Sequence, residues 1–266
     1  MDGKMSNAPV YYALAQVRFN ALAALDQYLP AIQDSLRKVG FPDFERSFLS
    51  TMAVLNAPAS ALTMPPSLQP QARYSFLNES RTSGFVLDQA MMFYQTTDYD
   101  TFEPFLSDFL KGLTIVHEAA QLSYTERVGV RFLDAVCPRE GESLALYLVP
   151  SVLGLSGELR PRELTFSISE TRTKLAETTL MSRVTIFDQE PKGAAFPFEL
   201  QPINVRLTER FQSVTGLYAV IDTDSWLEQR EKFSIDRLEA RLRLLQKDLR
   251  RSFDIMTTPH AIEVWT

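Results

Sequence analysis

The chain of 266 residues contains only one cysteine, Cys137, and only two histidines, His117 and His260. One cysteine cannot form a disulfide within the chain, and three such side chains are too few for a standard zinc site without carboxylates. Glycine-rich phosphate-binding loops and the Gly-x-Ser-x-Gly turn of hydrolases are also absent from the sequence. A catalytic Cys137 would need a histidine beside it in space, and a buried cysteine that acts as a small hydrophobic residue is the alternative. The sequence predicts no catalytic residue and no cofactor.

Long apolar runs and an excess of positive charge are missing as well. No stretch of about 18 apolar residues is present, and residues 1–7 lack the apolar core of a secretory signal. We therefore expect a cytoplasmic protein that does not enter a membrane. The formal net charge of −6 repels phosphate, which disfavours non-specific binding to duplex nucleic acid but leaves a local basic patch open.

Hydrophobic residues make up 45% of the chain, enough for a sizeable core. In the first half, their spacing predicts the order β-α-β-β-β-α-β, close to a ferredoxin-like βαββαβ unit with an inserted strand. The predicted elements are strands at 10–19, 44–55, 73–78, 85–95 and 125–136, helices at 22–39 and 102–116, and a loop at 58–70.

The second half predicts the order α-β-β-(β)-β-α. It has a short helix at 144–155, a hairpin of 164–169 with 178–188, an ambiguous stretch at 198–207, a strand at 217–222 and a long helix capped by Ser234. We expect an α+β fold with a mainly antiparallel sheet, divided into a ferredoxin-like subdomain at 1–138 and an αβββα subdomain at 139–266. One compact unit is the alternative.

Several segments together resemble a known family. They are Ala8-Pro9 with Ala13-Leu14-Ala15-Gln16-Val17-Arg18-Phe19, the stretch from Ile32-Gln33-Asp34 to Gly40-Phe41-Pro42, and Glu126-Arg127-Val128-Gly129-Val130-Arg131-Phe132. The chain resembles an uncharacterised, sporadically distributed family of bacterial proteins of about 250–270 residues. The resemblance implies no catalytic residues, and it implies a role in an accessory system such as defence, toxin control or a mobile element.

Three arginines on two predicted strands suggest a binding face. Arg18 lies opposite the apolar set of its strand, and Arg127 and Arg131 lie opposite the apolar set of theirs. Because the first and last strands of a ferredoxin-like sheet are antiparallel neighbours, we expect Arg18 close to Arg127. This face could bind single-stranded RNA or DNA. The alternative is that the second half covers the face and that acids such as Glu126 pair with the arginines.

Two further patterns carry alternatives of the same kind. The long C-terminal helix carries basic residues off its apolar stripe, including Arg241 and Lys247, which suit phosphates or an acidic partner but equally form a solvated surface. Asp222 and Asp224 project from one side of a strand and could hold Mg²⁺ or Mn²⁺, or simply end that strand at a turn.

The sequence contains no set of residues typical of a catalytic site, its net charge is negative, and it resembles the family described above. These observations favour a non-enzymatic protein-interaction module of an accessory bacterial system. A single-stranded nucleic-acid binder is the first alternative, and a divalent-metal-dependent enzyme at Asp222 and Asp224 is the second. The partner is expected to be another protein, and the sequence leaves homo-oligomerisation open.

Overall fold

The computed structural model describes residues 5–49, 71–157, 166–189 and 193–266. The described residues form helices and one antiparallel sheet of nine strands, which confirms the α+β, mainly antiparallel class. The strands are β1 (Val10–Phe19), β2 (Asp43–Leu49), β3 (Gln71–Leu77), β4 (Ser83–Leu87), β5 (Met91–Thr96), β6 (Tyr124–Val136), β7 (Phe166–Lys174), β8 (Thr179–Gln189) and β9 (Gly216–Lys232). Their order across the sheet is β2-β3-β4-β5-β1-β6-β9-β8-β7.

Three long helices share one side of the sheet, which we call the helix face. They are α1 (Leu25–Lys38), α2 (Phe102–Ala120) and α6 (Ile235–Met256). The shorter helices are α3 (Leu144–Tyr147), α4 (Pro150–Leu153), α5 (Glu209–Gln212) and α7 (Pro259–Trp265), with a 3₁₀ turn at Gly154–Gly157. None of the described helices is long and apolar enough to cross a membrane.

The main core lies between the sheet and the three long helices. It forms because the apolar residues of each strand and helix recur with the spacing that turns them towards this layer. On β1, alternate residues such as Ala13 and Val17 turn towards the helices and are fully buried. On α6, Leu238, Leu242 and Leu245 recur at helical spacing and pack into the same core. Ser234 caps α6 as predicted, because its side chain accepts a hydrogen bond from the Arg237 amide. The predicted bounds of β1 also agree with the structure.

The opposite side of the sheet, which we call the loop face, is partly covered by residues 193–208, the crossing segment. Ring contacts place Phe196 against Tyr11 and Tyr12. Further along, the Gln95 side chain donates to the Ile203 carbonyl at 2.6 Å and accepts from the Ile203 amide at 3.1 Å. The Arg206 amide then bonds the Arg81 carbonyl at 2.8 Å. The ambiguous stretch of the sequence is therefore an irregular cover that runs across the strands.

Several predicted elements were wrong in extent. The single strand at 85–95 is two strands, β4 and β5, joined by a tight turn in which the Asp88 carboxylate accepts a bond from the Ala90 amide at 2.9 Å. Both strands are almost wholly buried, so no alternation reveals the turn between them. The predicted helix at 144–155 is two short helices, because Pro150 starts a new one.

The last strand differs most from its prediction. The sequence predicts only 217–222, yet β9 continues to Lys232, because it is paired with β6 and β8 and its later residues need no apolar face. Helix α7 was not predicted. The β7–β8 hairpin confirms the predicted pairing, although residue 164 lies outside the described residues, as do 50–55 and the loop at 58–70. The ferredoxin-like description and the division at residue 138 stay predictions, and β6 pairs with β9 across that boundary.

Candidate functional site

The predicted arginine face begins with two neighbouring strands. Arg18 on β1 stands directly opposite Arg127 on β6, which confirms the predicted proximity. The register that pairs them also pairs Leu14 with Arg131 and Gln16 with Gly129, so all these side chains lie on the loop face. Arg18 is exposed, whereas Arg131 is buried. The three arginines therefore share a face but not an environment.

Arg131 is the centre of a buried ion-pair network. Its guanidinium donates two hydrogen bonds of 2.7 Å to the Asp222 carboxylate and one of 3.0 Å to Glu199. Arg183 on β8 donates to the same Glu199 oxygen at 2.7 Å and lies 3.4 Å from Asp222. Such bidentate geometry belongs to an ionised carboxylate held by guanidinium groups.

Acid–base shifts agree with that assignment. Burial opposes the charge of Arg131, but the hydrogen bonds and the field of Asp222 raise the pKa of the guanidinium. Burial also opposes ionisation of Glu199, and a backbone hydrogen bond with those of Arg183 and Arg131 still lowers its pKa to about 2. Burial raises the pKa of the Asp222 carboxyl, while Arg131 counteracts that rise. The network is thus a charged, satisfied cluster, and removing one member would leave a buried charge without its partner.

Arg127 also contacts other groups of the protein, but its side chain is more exposed than that of Arg131. Its guanidinium donates to the Gln16 side-chain oxygen at 2.6 Å, lies 5.5 Å from the Trp226 ring centre, and lies 3.6 Å from Glu228. The acids that pair with Arg127 and Arg131 are therefore Glu228, Glu199 and Asp222, not the expected Glu126. These contacts and the crossing segment cover part of the loop face, while Arg18 stays exposed.

The basic residues of the last helix lie elsewhere. Arg241 on α6 pairs with Glu177 and, at 2.9 Å, with Glu231, while Lys247 is exposed. Since α6 packs on the helix face, the structure places Arg241 and Lys247 on the side of the sheet away from Arg18, Arg127 and Arg131. The two basic features do not form one continuous surface.

The structure agrees with only part of the prediction that Asp222 and Asp224 form a metal-binding pair. Asp222 and Asp224 do project to one side of β9, as their pairing with Leu133 and Arg131 shows. However, both Asp222 oxygens are engaged by Arg131. Burial raises the pKa of Asp224 to about 6, against the opposing influence of Arg131 and Arg127. Within the described parts of the chain, no group of three or more histidine, cysteine or acidic side chains is arranged to hold a metal ion.

A cleft remains between the sheet and the crossing segment. It has a volume of about 440 Å³, and its lining includes Arg73, Arg127, Gln201 and Asp224. Arg73 lies 3.7 Å from Asp88, and its buried Nε atom has no hydrogen-bond partner in the described parts of the chain. The charges of the cleft nearly balance, which fits neither a polyanion nor a metal ion.

The histidines do not serve Cys137. His117 stacks on Phe233 with ring centres 4.1 Å apart. His260 lies 3.2 Å from Glu142 and contacts the Tyr147 ring edge-on. These contacts give the two histidines structural roles. Cys137 is an exposed free thiol, so the expectation of a buried small hydrophobic residue at this position was wrong.

A second cavity lies on the helix face, and the sequence did not predict it. It has a volume of about 200 Å³ and lies between the ends of β6 and β9, the start of α2, the last turns of α6 and residues 5–10. Asp134 on β6 lines it and is 3% exposed. Among the described residues, no side chain or backbone group forms a hydrogen bond or ion pair with the Asp134 carboxyl.

Burial raises the pKa of Asp134 to about 8, although Arg250 opposes that rise and Asp222 on the far side of the sheet adds to it. Arg250 lines the same cavity but pairs with Asp254 at 3.0 Å. Tyr99, whose pKa is raised by burial and by Asp134, forms another wall. A signal for Asp134 was available, because it continues the alternation of the buried Val128 and Val130, where an acid is out of place.

The third notable surface is the end of the sheet at β7. Among the described residues, only β8 pairs with β7, so its outer edge has no strand beside it. Phe166 and Ile168, two large apolar side chains on its loop face, are 60% and 56% exposed. Phe198 of the crossing segment is 95% exposed. Edge strands of this kind attract a further strand unless they are protected.

No protein-family model matches the sequence, and no curated protein matches it either. The resemblance to a sporadically distributed bacterial family stays a prediction.

Proposed function

We propose that the protein is a non-enzymatic protein-interaction module that binds an extended strand of another protein along the outer edge of β7. The observation that carries this proposal is the outer edge of β7, which no other described strand pairs with, together with the exposed Phe166 and Ile168. A strand added to a sheet edge gains main-chain hydrogen bonds, and alternate side chains give the contact its specificity. The cytoplasmic location, the accessory bacterial role and the ferredoxin-like first half remain predictions on which this proposal does not depend.

The side chains of β7 determine which types of residue such a partner strand should carry. One end of its loop face is apolar through Phe166 and Ile168. Towards the other end, Glu170 is engaged by Arg183 at 2.7 Å and by Arg172 at 2.8 Å, which leaves Lys174 as the unbalanced charge. The partner strand should therefore place apolar residues beside Ile168 and an acidic residue beside Lys174. A second copy of β7 fits less well, since it would place Ile168 beside a basic end.

The engaged arginines support a protein rather than a nucleic-acid ligand. Arg131 is engaged by Asp222 and Glu199, and Arg127 donates to Gln16 and lies 3.6 Å from Glu228. A phosphate chain would have to displace these partners. A nucleic-acid function would instead show salt-sensitive oligonucleotide binding that is lost in a folded Arg127→Ala variant.

The proposal is tested by affinity purification with three forms of the chain: the wild type, Ile168→Asp, and Ile255→Asp as the matched control. Ile255 is 62% exposed on α6, so its substitution makes an equal change in surface polarity at a distant place. We expect one partner, recovered in stoichiometric amount with the wild type and the control, and lost with Ile168→Asp.

The purified complex then decides how the partner binds. We expect the backbone amides of β7 to gain protection from hydrogen exchange, as amides do when a new strand pairs with them. Equal recovery with all three forms, or no added protection in β7, would refute the interface. Sedimentation of the chain alone as a dimer that Ile168→Asp dissociates would show that the occupant is a second copy.

A further inference from the structure

The cavity on the helix face contains two opposite charges that do not meet. Asp134 is buried on one wall and forms no hydrogen bond with any residue that the structure describes, and Arg250 stands on another wall. They are close enough for the guanidinium to affect the carboxyl electrostatically, yet they form no ion pair. A buried carboxyl without a partner is costly, so natural proteins rarely keep one without a use.

Other groups in the walls suggest what fits between these charges. The start of α2 contributes Thr101 and Phe102 to the cavity, and the side chain of Thr101, the N-cap residue, makes no capping hydrogen bond to the first amides of this helix. Such amides favour a negative group. Tyr99 and Phe132, with ring centres 5.1 Å apart, add aromatic surface, which favours an organic cation or an apolar group. The cavity therefore offers a site for each sign of charge and an apolar surface between them.

Size limits the ligand further. A volume of about 200 Å³ holds on the order of seven water-sized groups, well below the several hundred Å³ of a typical cofactor or drug site. A nucleotide is too large for this space. A molecule with six to nine non-hydrogen atoms is of roughly the right size.

We propose that this cavity binds a small apolar α-amino acid as a zwitterion, with its ammonium group on Asp134 and its carboxylate facing Arg250 and the start of α2. The apolar side chain would lie against Phe132 and Leu249. The proposal does not depend on the β7 interface, because the two surfaces are on different parts of the fold.

Binding of this kind has a proton signature. The unliganded Asp134 holds its proton near neutral pH, because its pKa is about 8, so an ammonium group has to displace that proton. The charged and titratable groups around it are Arg250 from α6, Asp222 from β9, and Tyr99 and Asp100 from the segment before α2. We expect roughly one proton released per ligand at pH 7, and an affinity that rises about tenfold from pH 6 to pH 7.

The experiment is calorimetry of the full chain with L-valine, isobutylamine and isovalerate, in buffers of different ionisation enthalpy. We expect L-valine to bind at least about tenfold more tightly than the amine or the acid alone, because each of these lacks one charged contact. Asp134→Asn and Arg250→Gln should each weaken L-valine binding about tenfold or more, while Arg251→Gln, an exposed neighbour on α6, should leave it unchanged.

Each outcome decides the proposal. Isovalerate binding that strengthens at low pH and survives Asp134→Asn would identify an anion site and overturn it. Isobutylamine binding that strengthens in Arg250→Gln would identify a simple cation site and overturn it equally. Absence of heat, and of any shift in melting temperature, with L-valine, L-alanine and L-leucine at 10 mM would also overturn it, provided that the wild type melts as a folded protein. Because asparagine fills the same space as aspartate without its charge, Asp134→Asn should fold.

Discussion

Asp222 on β9 and Asp134 on β6 lie on neighbouring strands and are almost equally buried, at 1% and 3% exposed. On the loop face, Asp222 meets Arg131 and Arg183 and is part of a closed network. On the helix face, Asp134 meets a cavity, and the nearest arginine is paired with Asp254. Burial alone therefore says little about the role of an acid. A buried acid with its partners holds the fold together, whereas one without partners marks a place where something else can bind.

The largest loss of stability is expected when the satisfied acid is removed. Asp222→Ala should lower the free energy of unfolding by about 3–5 kcal/mol, because Arg131 is then left buried without its main partner. Chemical denaturation at pH 7 measures this. Glu228→Ala, which removes the exposed partner of Arg127, is the control and should change stability by less than about 1 kcal/mol. Equal effects of the two substitutions would contradict a special role for the network.

The unsatisfied acid should behave in the opposite way. The folded state keeps the Asp134 proton up to about pH 8, while the unfolded chain loses it near pH 4, so wild-type stability falls as the pH rises between these values. Asp134→Asn removes that loss and should stabilise the protein by about 4–5 kcal/mol at pH 8, because the pKa in the folded state lies about four above the unfolded value. Denaturation of both forms at pH 4 and pH 8 measures the difference, which should vanish at pH 4. Parallel pH profiles would show that Asp134 is not buried in this way.

The smallest effect is expected at the rim of the network. The pKa of Glu199 is lowered to about 2, so its pairing adds stability above the unfolded value near pH 4 and is lost as the pH falls towards 2. Because the side chain is about half exposed, solvent screens the pair, and Glu199→Gln should cost less than about 1 kcal/mol at pH 7. Thermal melting between pH 2 and pH 7 tests this, and a stabilising effect of Glu199→Gln at pH 7 would contradict the pairing.

The sequence predicted more of the site residues on the loop face than on the helix face. The alternation of β1 and β6 placed Arg18 beside Arg127, because a period of two fixes which face each side chain takes. The same alternation placed Asp134 among the helix-facing residues, but it does not indicate whether a buried acid has a partner. Glu199 was out of reach, since it lies in an irregular segment whose path over the sheet follows from distant contacts such as Gln95 with Ile203.

The local chemistry of the chain determined the elements with a clear period or cap: the bounds of β1, the stripe and Ser234 cap of α6, and the β7–β8 hairpin. These depend on neighbouring residues alone. Only the tertiary structure decided where β9 ends, that β4 and β5 are separate, and which acids meet which arginines. Those outcomes depend on residues far apart in the chain, such as Arg131 and Asp222, which form a hydrogen bond. A local sequence pattern does not encode a contact between residues with so large a sequence separation.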